Sequence, residues 1–98
     1  RLVVDEGARA AVVSQGRSLL AAGIRAVEGS FAAGDVVTLS APDGDFARGL
    51  ANYPADDLRR IQGLRTESIV GVLGYCPYEE VVHRDNLAVT RRDGTSGT

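Results

Sequence analysis

The stretch Gly34-Asp35-Val36-Val37-Thr38-Leu39-Ser40-Ala41-Pro42-Asp43-Gly44-Asp45-Phe46-Ala47-Arg48-Gly49-Leu50-Ala51-Asn52-Tyr53 reads as a β-hairpin. Gly34-Asp35 opens it, Val36 to Leu39 runs out, and Phe46 to Tyr53 runs back. In the connection Ala41-Pro42-Asp43-Gly44 the proline ring pre-sets φ for the first turn corner, and Gly44 tolerates the positive φ that closes such a loop. Gly49 interrupts the return strand with a residue that has no side chain, which predicts a bulge or a close backbone approach. Either would curl the sheet toward closure.

Working outward toward the N-terminus, Leu2-Val3-Val4 forms a short apolar strand, and Asp5 stands where a side-chain oxygen can accept the free N–H groups of a helix start. Ala8, Ala11, Val12 and Gln15 repeat at helical spacing, and Gly16 suits a left-handed cap, so a helix is predicted over 5–15. Ser18-Leu19-Leu20 and Ile24 to Val27 flank the small residues Ala21-Ala22-Gly23, which predicts one strand with a sharp bend.

Toward the C-terminus, Pro54 opens a helical turn in which Leu58 and Ile61 share a face, Asp56 and Arg60 can pair four residues apart, and Gly63 ends it. Thr66 starts a second helical segment with Glu67 in its first turn, carrying Ile69, Val70, Val72 and Leu73 to Gly74. Val81 to Arg84 and Leu87 to Thr90 are β-like, broken by Asp85-Asn86. The expected organisation is one domain over residues 1–90, with 91–98 a polar, flexible tail.

Composition sets outer limits. A chain of 98 residues with 44% hydrophobic content can bury a single core. All eleven of its basic residues are arginines, set against thirteen Asp plus Glu for a net charge of −2. That balance argues against a broadly basic nucleic-acid-binding face and leaves room only for a local arginine patch. With no lysine there is neither a Walker-A lysine nor Schiff-base chemistry. The single cysteine, Cys76, closes no internal disulfide and suits a reducing, cytoplasmic setting. No apolar run approaches the roughly 20 residues that span a bilayer, so no membrane partner is expected.

Other chemistry-bearing residues have bland readings. His83 and Asp85 lack a third metal ligand, since there is no second histidine, and Cys76 is followed by Pro77 with no nucleophile signature around it. The pairs Asp56-Asp57 and Glu79-Glu80 read as solvated, capping charges, and Arg59-Arg60 with Arg65 as an exposed helical face pairing with Asp56 and Asp57. No glycine pattern matches a phosphate-cradling loop.

Particular words of the sequence carry a resemblance. Asp5-Glu6-Gly7-Ala8, Gly16-Arg17-Ser18-Leu19-Leu20-Ala21-Ala22-Gly23-Ile24, Val27-Glu28-Gly29-Ser30-Phe31 and Gly34-Asp35-Val36-Val37 follow one another in order. Ala47-Arg48-Gly49-Leu50-Ala51-Asn52-Tyr53, Arg59-Arg60-Ile61-Gln62-Gly63 and Val82-His83-Arg84-Asp85-Asn86-Leu87 continue the series. From about Leu2 to Val89 this resembles the C-terminal PUA domain (named for pseudouridine synthases and archaeosine transglycosylases) of bacterial glutamate 5-kinases. Ala22 departs from it, standing where a proline is expected, as does Cys76-Pro77.

The resemblance implies an α+β, mainly β fold: a PUA-like pseudo-barrel of mixed short strands with flanking short helices. It implies an accessory or regulatory role in an enzyme of proline synthesis. The amino-acid-kinase domain, with its ATP and Mg, would lie elsewhere in the polypeptide and would supply any oligomer contacts, leaving this stretch without catalytic groups, cofactor or metal. The alternative is an RNA-binding PUA module. Carried over residue by residue, its RNA contacts would be Gly16, Arg17, Ser18, Leu19, Leu20, Ala22 and Gly23, joined by Arg84 from the closing strand.

Overall fold

Asp5 divides the first strand from the first helix as its side chain requires. In the computed structural model, which describes residues 1–90, strand β1 (Leu2–Val4) passes through Asp5 into helix α1 (Glu6–Gln15). The Asp5 carboxylate accepts the Ala8 N–H at 2.7 Å, and Gly16, at φ 62°, closes the helix in the left-handed conformation.

The predicted bent strand is two separate pieces. Leu19 makes an isolated bridge to Val82, Ala21–Gly23 forms a 3₁₀ turn, and only Ile24–Val27 is strand, β2. Gly23 lacks a side chain because α1 lies on it: a Cβ there would come 2.5 Å from Ala8 Cβ. Close packing with the helix, rather than freedom to bend, is what the position demands.

The hairpin forms where expected, with strands that reach further into the turn. Strand β3 (Val36–Ala41) and strand β4 (Gly44–Leu50) pair antiparallel around Pro42-Asp43, and Ala51 to Tyr53 lie beyond the strand. The bulge sits at Phe46, not at Gly49: Leu39 pairs with Ala47 and Ser40 with Asp45, so Phe46 is the extra residue. Its carbonyl accepts the Thr90 N–H at 2.8 Å. The hairpin tip is tied to α1 by Arg9 and Asp43 at 3.4 Å.

After Pro54, helix α2 (Ala55–Ile61) buries Ala55, Leu58 and Ile61 against helix α3 (Ile69–Leu73) and β2. Burial of a side chain the size of Leu58 stabilises the fold by roughly 1.5–3 kcal/mol. The expected Asp56–Arg60 pair does not form. Arg59 takes Asp56 at 3.2 Å, while Arg60 reaches across to the Val72 carbonyl at 2.6 Å. Thr66 is the first residue of a 3₁₀ turn (Thr66–Ser68) leading into α3, not its cap, and no side chain caps that turn. Another 3₁₀ turn, Arg84–Asn86, leads into strand β5 (Leu87–Val89), so the β-like reading of Val81 to Arg84 reduces to the Val82 bridge. The expected tail, 91–98, lies outside the described residues.

The sheet order is β2-β1-β3-β4-β5, with β1 parallel to β3 and every other neighbouring pair antiparallel. Main chain closes the remaining gap. Beyond β4, the Asn52 N–H donates to the Val81 carbonyl at 2.8 Å, Val81 N–H donates to the Leu19 carbonyl at 2.8 Å, and Leu19 N–H donates to the Val82 carbonyl at 2.9 Å. The far side of β4 is thereby joined to the lead-in of β2, giving the mainly β pseudo-barrel. Leu2, Leu19, Leu39, Ala47, Tyr53, Val81 and Val82 fill its inside. Gly49 belongs to this seam: a Cβ would meet Val82 Cγ1 at 2.5 Å and the Asn86 carbonyl oxygen at 2.7 Å.

Candidate functional site

The turn that follows α1 is set by three backbone contacts. Arg17 N–H donates to the Ala11 carbonyl at 2.9 Å, Gly23 N–H donates to the Leu20 carbonyl at 3.1 Å, and Asp5 N–H donates to the Gly23 carbonyl at 3.0 Å. Between these ties Gly16, Arg17, Leu20 and Ala22 are exposed and Ser18 and Gly23 are half-buried. All of these but Gly16 border a groove of about 280 Å³ beside Ala8 and Ala11.

Arg84 arrives from the other end of the chain. Its N–H donates to the Ser18 hydroxyl at 2.8 Å, and Arg17, Ser18, Glu80, His83 and Arg84 line a second groove of about 490 Å³. Arg17 and Ser18 belong to both grooves, so six of the eight residues named from the resemblance share one rim; Gly16 is exposed but lines neither groove. Leu19 is different. Its side chain is buried and both its main-chain groups are spent on Val81 and Val82, so it holds the rim in place and offers no free polar group of its own. No ion pair joins Arg17 or Arg84 to a carboxylate among the described residues, leaving two guanidinium groups facing water in an otherwise acidic chain.

The other candidates resolve into structural roles. His83 caps the 3₁₀ turn, its Nδ1 accepting the Asp85 N–H at 3.1 Å with the Asp85 carboxylate 3.6 Å away. Asp57 accepts the Tyr75 hydroxyl at 2.6 Å, and that bond raises the phenol's pKa above its ordinary value. Among the described residues no group of three His, Cys, Asp or Glu side chains is placed to hold a metal ion. No helix among them is long and apolar enough to cross a membrane.

Sequence reasoning missed the role of Tyr53. Its hydroxyl donates to the Tyr78 carbonyl and lies 3.8 Å from Cys76 Sγ, and its ring meets that of Tyr78 edge to face at 6.4 Å. Burial first, and then the thiol contact, push the phenol up to about 12. Cys76 in turn donates to the Tyr78 carbonyl at 3.3 Å, so the thiol helps to pin the loop between α3 and Val81. Nothing near Tyr53 in the sequence announces partners more than twenty residues away.

Known proteins resemble the chain in sequence and in fold. A family model of the PUA domain matches residues 1–73. The glutamate 5-kinase of Syntrophus aciditrophicus (strain SB) is 53% identical over 92 residues, covering 93% of this chain and 24% of the relative. That of Myxococcus xanthus (strain DK1622) is 57% identical over 89 residues, with 90% and 24% covered. The chain thus spans about a quarter of the length of these relatives. Among solved structures, a PUA domain from Aeropyrum pernix K1, crystallised as a tartrate complex, superposes with a TM-score of 0.59 at 25% identity, covering 84% of this chain and 40% of that one. The closed seam, the mixed sheet and the sequence match converge, and the chain belongs to the PUA domain family.

Proposed function

We propose that this domain is the accessory, regulatory module of a glutamate 5-kinase. The observation that carries the reading is identity above one half across nine tenths of the chain to enzymes four times its length. On this reading the remaining polypeptide is an amino-acid-kinase domain that binds ATP and Mg, phosphorylates the γ-carboxyl of glutamate and makes the oligomer contacts, all in the cytoplasm. The PUA module adjusts the response of that domain to proline, or its assembly, without touching the reacting atoms. Removing residues 1–98 from the full-length enzyme is expected to change proline inhibition or stability while phosphorylation persists. Complete loss of turnover in a kinase domain whose fold is intact would overturn the proposal.

A second reading is supported by the common rim of Arg17, Ser18, Leu20, Ala22, Gly23 and Arg84. Small residues admit a close backbone approach, and two unpaired guanidinium groups suit phosphate, which together describe a contact for structured RNA. In the full-length protein, RNA retention at low salt that falls with ionic strength, and weakens in Arg17→Ala with a shallower salt slope, is the expected result. No retention at low salt would remove this reading.

A further inference from the structure

Where the hairpin begins and finishes, at the start of β3 and the end of β4, it carries an apolar patch. Val36 and Leu50 are directly paired across the hairpin and therefore project from the same face of the sheet. Both point into water, Val36 at 64% and Leu50 at 39% exposure. Leu50 also borders a groove of about 310 Å³ that Tyr78, itself 50% exposed, lines as well. The face turns polar only one pair further along the hairpin, at Thr38 and Arg48. The patch is local, and the alternation that keeps strand surfaces polar is broken just there.

We infer that this patch is where the remainder of the same polypeptide, the kinase domain of the proposed parent, docks on the PUA barrel; the inference rests on that parentage. The size of the patch selects the occupant. Its three side chains leave on the order of 300 Å² of surface to cover, well short of the ~800 Å² per partner that holds two free molecules together. A covalently tethered neighbour needs far less, because the tether supplies an effective concentration of about a millimolar. The relatives carry about three quarters of their length outside this domain, so such a neighbour is at hand.

The test is hydroxyl-radical footprinting of the full-length polypeptide. The domain holds its own reference, since Tyr75 is as exposed as Tyr78, at 50%, but lies outside the patch. Docking predicts Tyr78 labelled several-fold less than Tyr75, with a ratio that does not change on dilution. Val36→Glu places a charge in the contact and is expected to bring Tyr78 up to the level of Tyr75. Buried Tyr53 should stay unlabelled as a check that the barrel is intact, and Leu50→Gln serves if it does not. Equal labelling of Tyr78 and Tyr75 in the unaltered protein would overturn the inference. Protection lost on dilution would overturn it in favour of a second copy. Glutamate phosphorylation measured on the same sample tests the parentage separately. Turnover without protection removes only the docking; protection without turnover removes the kinase as the partner.

Discussion

The seam of the barrel and the outer ends of its hairpin are built by opposite rules. At the seam, Leu19, Gly49, Asn52, Val81 and Val82 bring main chain against main chain, and even one added carbon at Gly49 meets atoms at 2.5 and 2.7 Å. At the hairpin ends Val36 and Leu50 are large, apolar and unconfined. The first region has no tolerance for volume, because its contacts are backbone hydrogen bonds that must stay in register. The second leaves room for a larger or a polar side chain, at Val36 most of all. A large apolar residue kept there calls for an explanation outside the fold, whereas the seam is explained by the fold alone.

Substitutions can break or sharpen this contrast. The largest effect is expected at Gly49→Ala, where the new methyl must displace the Asn86 backbone as well as Val82, at a cost of about 3 kcal/mol. A lowered urea midpoint checks it. Gly23→Ala should cost about 2 kcal/mol, since its methyl collides with that of Ala8, and adding Ala8→Gly should return part of the loss. A double-mutant cycle with no coupling would show that α1 does not rest on Gly23.

Next comes Tyr53→Phe, about 1 kcal/mol, because the Tyr78 carbonyl loses its phenolic donor. This position also carries a pH signature. The phenol is raised in the folded chain to about 12 from the usual 10, so folding favours the protonated form. Its contribution is complete below pH 10 and disappears as pH rises from 10 to 12. Denaturation midpoints across that window should fall less in Tyr53→Phe than in the parent chain, and absorbance titration should show Tyr53 ionising last, after Tyr75, which is raised as well. The smallest effect is expected at the rim, where Arg17→Ala should change stability by no more than about 0.5 kcal/mol. A larger loss by thermal melting would mean that the rim also supports the fold.

Features made by neighbours in sequence were legible before the structure. Asp5 as a helix cap, Gly16 as a helix end and Pro42-Asp43-Gly44 as a hairpin turn each follow from local backbone chemistry. Gly23 and Gly49 were recognisable as special, but the reason assigned to Gly23 was wrong and that for Gly49 was left open. Whether a missing side chain permits a bend or makes room depends on what lies above it, and Ala8 and Val82 are set there by tertiary packing. Of the two arginines expected at Asp56, Arg59 pairs with it, whereas Arg60 takes the distant Val72 carbonyl, which helix spacing alone does not reveal. The rim residues could be named from the resemblance, but that Arg84 joins them through Ser18, and that Leu19 turns inward, are facts of assembly. The outward pairing of Val36 with Leu50 could have been read from the two-residue period once the hairpin register was known.

The position of β1 bears on how the chain is made. The first strand of the domain lies between two that come later in it, β2 and β3, and the ring is shut by Val81 and Val82, which follow them by dozens of residues. As the domain leaves the ribosome, β1 can pair on one side only, with β2, until the hairpin has emerged, and the circle stays open until the last strand is nearly out. Cutting the gene at residue 73, where the family match stops, would therefore release a cracked shell rather than a smaller domain.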